Sequence, residues 1–215
     1  MSFSITTPDY LNYFAAAAER IKINKDYITG LDAATGDGDH WANLNKGFQT
    51  VLSAKDELSG LSLSDLFKQI GMKIMSSVGG SSGVLYGSAY IGAAKTCKNI
   101  DALDRTSLCD ALDAMVNAMM KRGDSKPGQK TMIDAIYPAV EAYKKALENN
   151  LPDAELLSDV KQAAVKGAEL TENMEAIRGR ACYQANKGVG RLDPGAVTMS
   201  YQIETLMDFI QSNLI

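Results

Sequence analysis

Apolar residues return every three or four positions along almost the whole chain. A stripe of that period is buried only by packing helix against helix, which excludes sheet-based folds. Thr7-Pro8-Asp9 reads as a helix start, with a cap, a proline at the first helical position and an acid in the first turn. Behind it Tyr10, Leu11, Phe14, Ala17, Ala18 and Ile21 share one face. Ser62 to Val78 repeats the pattern through Leu63, Leu66, Phe67, Ile70 and Ile74. Thr106 reads as the cap of a segment carrying Leu108, Leu112, Met115, Val116 and Met119, which Gly123 stops. Met132 to Leu147 follows, with Pro138 predicting a kink or a local start. Leu156 to Ala168 and Val197 to Ile210 complete the series. Val84 to Ile91 alone has strand character, and it is rich in glycine and alanine. The expected fold is all-α, about eight helices in a single domain spanning residues 1–215.

Composition narrows the function. The 215 residues carry 22 Lys+Arg against 26 Asp+Glu, a net charge of −4, which lacks the basic footprint of a nucleic-acid binder. No run of about 18 apolar residues predicts a membrane span, and the N-terminus has neither the basic nor the apolar region of a signal peptide. A cytoplasmic protein is expected. Cys97, Cys109 and Cys182 form no C-x-x-C pair, which argues against a disulfide framework and a zinc site. His40 is the one histidine, so no two-histidine metal centre can be built. Walker A and strict G-x-G-x-x-G motifs are absent.

In a helical protein the informative residues sit where helices break, and four breaks stand out. The first, Leu31 to His40, places Asp32, Asp37 and Asp39 within eight residues, interleaved with Gly36 and Gly38. Carboxylates this close repel one another unless a cation or water screens them. Counting twelve from Asp37 or Asp32 reaches Phe48 or Asn43, so the bidentate glutamate of an EF-hand is missing. Magnesium, which takes a few carboxylates plus substrate phosphate, fits better. A solvated acidic turn with Asp39 capping the next helix stays open as an alternative. The second break, Val78-Gly79-Gly80-Ser81-Ser82-Gly83, is an anion cradle or a flexible turn. The third, Lys121 to Met132, is a basic phosphate-side loop or a helix end followed by a proline turn. The fourth joins Arg178-Gly179-Arg180-Ala181 to Gly188 through Ala196, where Asp193 reads as the cap of the last helix and Pro194 as its first residue. Together they point to a phosphorylated ligand.

These breaks resemble the nucleotide-binding L subunit of dihydroxyacetone kinase. The residues that carry the likeness are Gly36-Asp37-Gly38-Asp39-His40, Val78 to Gly87, Lys126 to Ala135, Gly179-Arg180-Ala181-Cys182-Tyr183 and Asp193-Pro194-Gly195-Ala196, in family order across nearly the whole chain. The resemblance implies an antiparallel barrel of about eight amphipathic helices. It implies that Asp32, Asp37 and Asp39 hold two Mg2+ ions bridging the phosphates of ADP or ATP. It further implies that His40, Trp41, Ala42, Asn43, Ser81, Ser82, Gly123, Met132, Arg180, Asp193, Pro194 and Gly195 contact the nucleotide. The substrate would be held covalently on a histidine of a separate K subunit. The ADP would be recharged by a phosphohistidine protein of the phosphotransferase system, with a dimer of the chain itself left open. Trp41 stands where the family usually has glycine, Gln129 for a common acid and Cys182 for a common serine, while Asn186 and Arg191 also differ from the usual pattern. A kinase subunit using free ATP on another short-chain sugar, a non-catalytic nucleotide-binding regulator and a calcium-binding module are the alternatives.

Overall fold

The computed structural model describes residues 3–215. Ten α-helices lie among them: α1 Thr7–Ile23, α2 Lys25–Thr35, α3 His40–Leu52, α4 Lys55–Leu58, α5 Leu63–Ser77, α6 Gly80–Thr96, α7 Arg105–Gly123, α8 Ile133–Glu148, α9 Asp153–Leu170 and α10 Pro194–Asn213. Short 3-10 turns occupy Thr171–Asn173 and Arg180–Tyr183. The extended N-terminus pairs Ile5 with Leu103 in an isolated antiparallel bridge.

Eight of these helices close a ring. α1 packs on α3, α3 on α5, and each of α5 to α9 on its successor, while α10 packs on both α9 and α1. Residues of the first turns of α3, α6, α8 and α10 come together, so these four helices all start at the same end of the ring. α2 and α4 are linkers outside it. The apolar stripes converge inside, where Tyr10, Phe14, Phe48, Phe67 and Tyr90 are buried. Their rings meet mostly edge to face, with Tyr10 and Phe67 4.6 Å apart. Among the described residues no helix is long and apolar enough to cross a membrane.

Val84 to Ile91 lies inside α6, not in a strand. Its glycines serve close helix contact: a Cβ on Gly87 would fall 2.9 Å from the Gly71 carbonyl oxygen, and one on Gly71 2.8 Å from the Gly87 carbonyl oxygen. α8 begins at Ile133 and runs through Pro138 instead of starting there. Pro138 offers no N–H to the Asp134 carbonyl four residues earlier, and Gly167 of α9 packs against that carbonyl. A Cβ on Gly167 would sit 2.1 Å from it. The caps shift by one or two residues. Thr6 closes a capping box with Asp9 at the head of α1, and Asp104 does so with Ser107 at the head of α7, displacing Thr106.

Candidate functional site

The four helix breaks meet at one end of the ring, around a cavity of about 620 Å3, the size of a nucleotide- or drug-sized pocket. The acidic loop forms one wall. Asp32, Asp37 and Asp39 each turn a carboxylate oxygen toward a common point, all within 4.8 Å of one another. Asp32 sits in the last turn of α2, and its Oδ2 accepts the His40 N–H at 2.9 Å, so it is Asp32 that satisfies the start of α3. Asp39, which the acidic-turn alternative made the cap, forms no side-chain cap bond. Hard oxygens in this grouping suit Mg2+.

His40 is buried behind this wall. Its Nε2 lies 2.9 Å from Thr198 Oγ1, whose hydroxyl donates to the Gly195 carbonyl. Burial lowers the His40 pKa, with Asp32 and Asp39 pulling it the other way. The imidazole thus ties α3 to the start of α10.

Two helix starts form the floor. α6 has Gly79 at its cap and no capping side chain, leaving the N–H groups of its first turn open beside Ser81 and Ser82. α10 is capped by Asp193, whose Oδ2 accepts the Ala196 N–H at 2.7 Å. Burial pushes the Asp193 carboxyl up to about 7, against the pull of that N–H and of Lys130. Gly123, Met132 and Leu85 give the far wall an apolar face.

The connection between α9 and α10 roofs the cavity. Arg180 pairs with Asp37 at 2.5 Å, Arg178 pairs with Asp124 at the end of α7 at 2.6 Å, and Gln184 Nε2 donates to the Ala34 carbonyl at 3.0 Å.

His40, Asn43, Ser81, Ser82, Gly123, Met132, Arg180, Asp193, Pro194 and Gly195 all border the cavity with the three aspartates. Trp41 and Ala42 do not. Trp41 packs against the core, donates Nε1–H to the Ile21 carbonyl at 3.1 Å and lies under the Lys25 ammonium. Helical geometry turns it away from the cavity that His40 borders, since residues one apart never share a face. Ala42 is exposed. Thr35, Leu85, Lys130 and Arg178 also line the cavity; sequence reasoning placed Lys130 and Arg178 in possible phosphate-side loops without singling them out and gave Thr35 and Leu85 no role. Arg178, two residues before Arg180, carried the only usable signal.

Residues 34–208 match the family model described as the DAK2 domain. The chain belongs to the DAK2 domain family. It is 31% identical over 94% of its length to the ADP-binding subunit DhaL of the PEP-dependent dihydroxyacetone kinase of Escherichia coli, covering 97% of that protein. It is 35% identical over 95% of its length to the ADP-binding subunit DhaL of the PTS-dependent dihydroxyacetone kinase of Lactococcus lactis, again covering 97% of it. The crystal structure of the C. freundii dihydroxyacetone kinase in complex with AMP-PNP and Mg2+ superposes with a TM-score of 0.71 at 25% identity, over 92% of this chain and 33% of that one. This DAK2 domain thus spans about a third of that longer enzyme.

Proposed function

We propose that this DAK2 chain is the ADP-binding subunit of a dihydroxyacetone kinase, a phosphotransferase. The whole chain is one nucleotide-binding domain. Dihydroxyacetone, or a related small ketose, is held on a separate K-type subunit, and the ADP stays bound and is recharged by a phosphohistidine protein of the phosphotransferase system. One observation carries this reading: three converging carboxylates, an uncapped helix start and an arginine border a single cavity of nucleotide size.

The donor set fits magnesium, because all three side chains offer hard oxygens on a tight loop. Asp32, Asp37 and Asp39 would hold two Mg2+ ions, which supply charge neutralisation at the phosphates when bound. Phosphoryl transfer asks for positioning and charge compensation more than for a covalent group from the protein. Here the open N–H groups at Ser81 and Ser82 face the phosphates, and the Arg180 guanidinium offers a planar fork that a phosphate can share with Asp37. Gly123, Met132 and Leu85 receive the base. Asp193-Pro194-Gly195 shapes the edge of the cavity, and the roof limits water. In the recharge step a P–N bond to the donor histidine breaks as a P–O bond to the terminal oxygen of ADP forms. In the transfer step that P–O bond breaks as one to the sugar hydroxyl oxygen forms, and the hydroxyl proton leaves on the partner's side.

The test loads the protein with labelled ADP, adds excess unlabelled ATP with Mg2+ and follows the label. Retention for many minutes, with phosphate passing to the sugar once the K-type subunit and the donor protein are present, is the expected result. Loss within seconds, with repeated turnover on ATP and the K-type subunit alone, would assign free-ATP chemistry. Binding without transfer would make the chain a regulator.

A further inference from the structure

Among the described residues Lys130 is the one lysine or arginine that is buried, with 2% of its surface exposed. Its Nζ donates to the backbone carbonyls of Thr171 and Arg191. Those carbonyls stand at the two ends of the connection from α9 to α10. A second tie doubles the closure, since Thr171 Oγ1 accepts the Asp193 N–H at 3.0 Å. The Lys130 stem runs beneath the same connection: a Cβ on Gly188 would lie 3.1 Å from Lys130 Cε. Lys130 itself has a φ of 59°, a left-handed backbone that strains a non-glycine residue and persists only where its surroundings impose it. Asp134 imposes it, accepting the N–H groups of Gly128 and Thr131 on either side.

A buried ammonium is expensive unless its donors and its charge are met. Both needs are filled here, by the two carbonyls and by Asp193, Glu172 and Asp134 nearby, while burial lowers the Lys130 pKa. A lysine this costly at the base of a loop that carries Arg178 and Arg180 does more than fill space. Without it the roof would keep the Thr171–Asp193 tie, the Gly190 N–H bond to the Glu172 carbonyl and the Ile177 N–H bond to the Gln129 carbonyl, but its side-chain ties to Asp124, Asp37 and Ala34 all lie at the surface, where ion pairs hold little.

We propose that Lys130 is a positioning residue that staples residues 171–193 at their base, setting Arg180 over the acidic loop and Asp193 at the head of α10, and so sets nucleotide affinity. This rests on the nucleotide reading above, and two arms let the two fail separately. The first arm uses no nucleotide. Trypsin is applied, well below the melting temperature, to wild type and to Lys130→Met, which keeps the stem and removes the donors. Cleavage at Arg178, Arg180, Lys187 or Arg191 is expected to be at least about 10-fold faster in the variant, since local opening governs it. Equal rates overturn the staple.

The second arm measures ADP binding with Mg2+ by calorimetry for wild type, Lys130→Met, Arg180→Ala and the double variant. Lys130→Met alone is expected to weaken binding by about 10- to 100-fold, the usual range for supporting residues around a site. Most of that loss should vanish in the Arg180→Ala background, because the two act through one loop. Additive losses would leave Lys130 with a merely structural part and overturn the positioning role. If the wild-type protein binds no ADP, the nucleotide reading falls and the positioning role with it, whatever trypsin reports about the staple. Should Lys130→Met fail to fold, Lys130→Gln, which replaces the ammonium by a shorter neutral amide, takes its place with the same outcomes.

Discussion

Replacing Asp37 by asparagine separates a binding loop from a structural one. Its carboxylate lies within 4.8 Å of those of Asp32 and Asp39. At that spacing each like-charged pair repels by about 0.9 kcal/mol in a water-like dielectric, so two pairs oppose folding by roughly 1.7 kcal/mol when no cation is present. The one opposing contact is the Arg180 pair, whose side chains are 67% and 37% exposed. An ion pair that open contributes about 0–1 kcal/mol. In EDTA Asp37→Asn is therefore expected to stabilise by roughly 0.7 to 1.7 kcal/mol, a rise of roughly 1–7 °C in melting temperature for a chain of this size.

Mg2+ with ADP should reverse the order. A ligand at 100 times its Kd stabilises the wild-type protein by about 2.7 kcal/mol; if the lost carboxylate weakens binding by about 100-fold, the variant gains only about 0.4 kcal/mol at the same concentration. The melting curves should then cross, with the variant at or above wild type in EDTA and several degrees below it with Mg2+ and ADP. A variant that melts more than about 2 °C below wild type in EDTA would show that Asp37 holds the fold through Arg180, and the reasoning would be refuted.

Arg180→Lys is expected to weaken ADP binding about 10-fold with an unchanged melting temperature, because an ammonium cannot copy a two-pronged grip on phosphate; equal calorimetric affinities would remove Arg180 from the site. Asp193→Asn keeps a good helix cap but abolishes a group whose folded pKa, about 7, is raised above that of the unfolded chain. Such a carboxyl favours the fold while protonated, and that contribution is lost as pH rises from about 4 through 7. Denaturant unfolding should therefore show the variant gaining on wild type between pH 5 and pH 8, by up to about 2.6 kcal/mol, because the first part of the three-unit shift is already spent by pH 5; an unchanged difference would contradict the buried carboxylate. Gly167→Ala drives a Cβ to 2.1 Å from the Asp134 carbonyl, which should cost about 3 kcal/mol and lower the melting temperature by roughly 6–12 °C. A melt within about 1 °C of wild type would mean that α8 and α9 are not packed this closely.

The helices were legible in the sequence because their stripes are uninterrupted and their breaks are dense in glycine, whereas their closure into a ring was implied by the family resemblance alone. The expectation that Pro138 disturbs α8 had a sound basis, since the missing N–H is real. What the sequence withheld was Gly167, placed opposite the bared carbonyl by a helix crossing that no local pattern reports. Val84 to Ile91 carried β-branched and aromatic residues that mimic a strand, and only Gly71 across the interface explains the small residues between them. Residue chemistry drew attention to the acidic loop but left a solvated turn open beside a magnesium loop, and it was the family resemblance that singled out Arg180. Neither singled out Lys130. It is one of four basic residues between Lys121 and Lys130, and nothing in that run distinguishes the buried one from those in solvent. Trp41 shows the converse limit, as a residue beside a motif that points away from the site.

The topology also accounts for the chemistry of the cavity end. An antiparallel ring of eight helices brings four N-termini to one end, and each carries roughly half a positive charge on its unsatisfied N–H groups. Residues of the first turns of α3, α6, α8 and α10 all border the cavity. These helix starts and the Arg180 pair with Asp37 both compensate the acidic loop. Cations arriving with a polyphosphate would take over that compensation and free the guanidinium for the phosphate. Arg180 must then be released from Asp37 for the ligand to bind, and the roof that carries it must stay in register while it lets go. A loop held only at its tips would lose both contacts together. One stapled at its base by Lys130 can exchange the tip contact and keep its place, so the ligand gains the arginine without bearing the cost of ordering the loop.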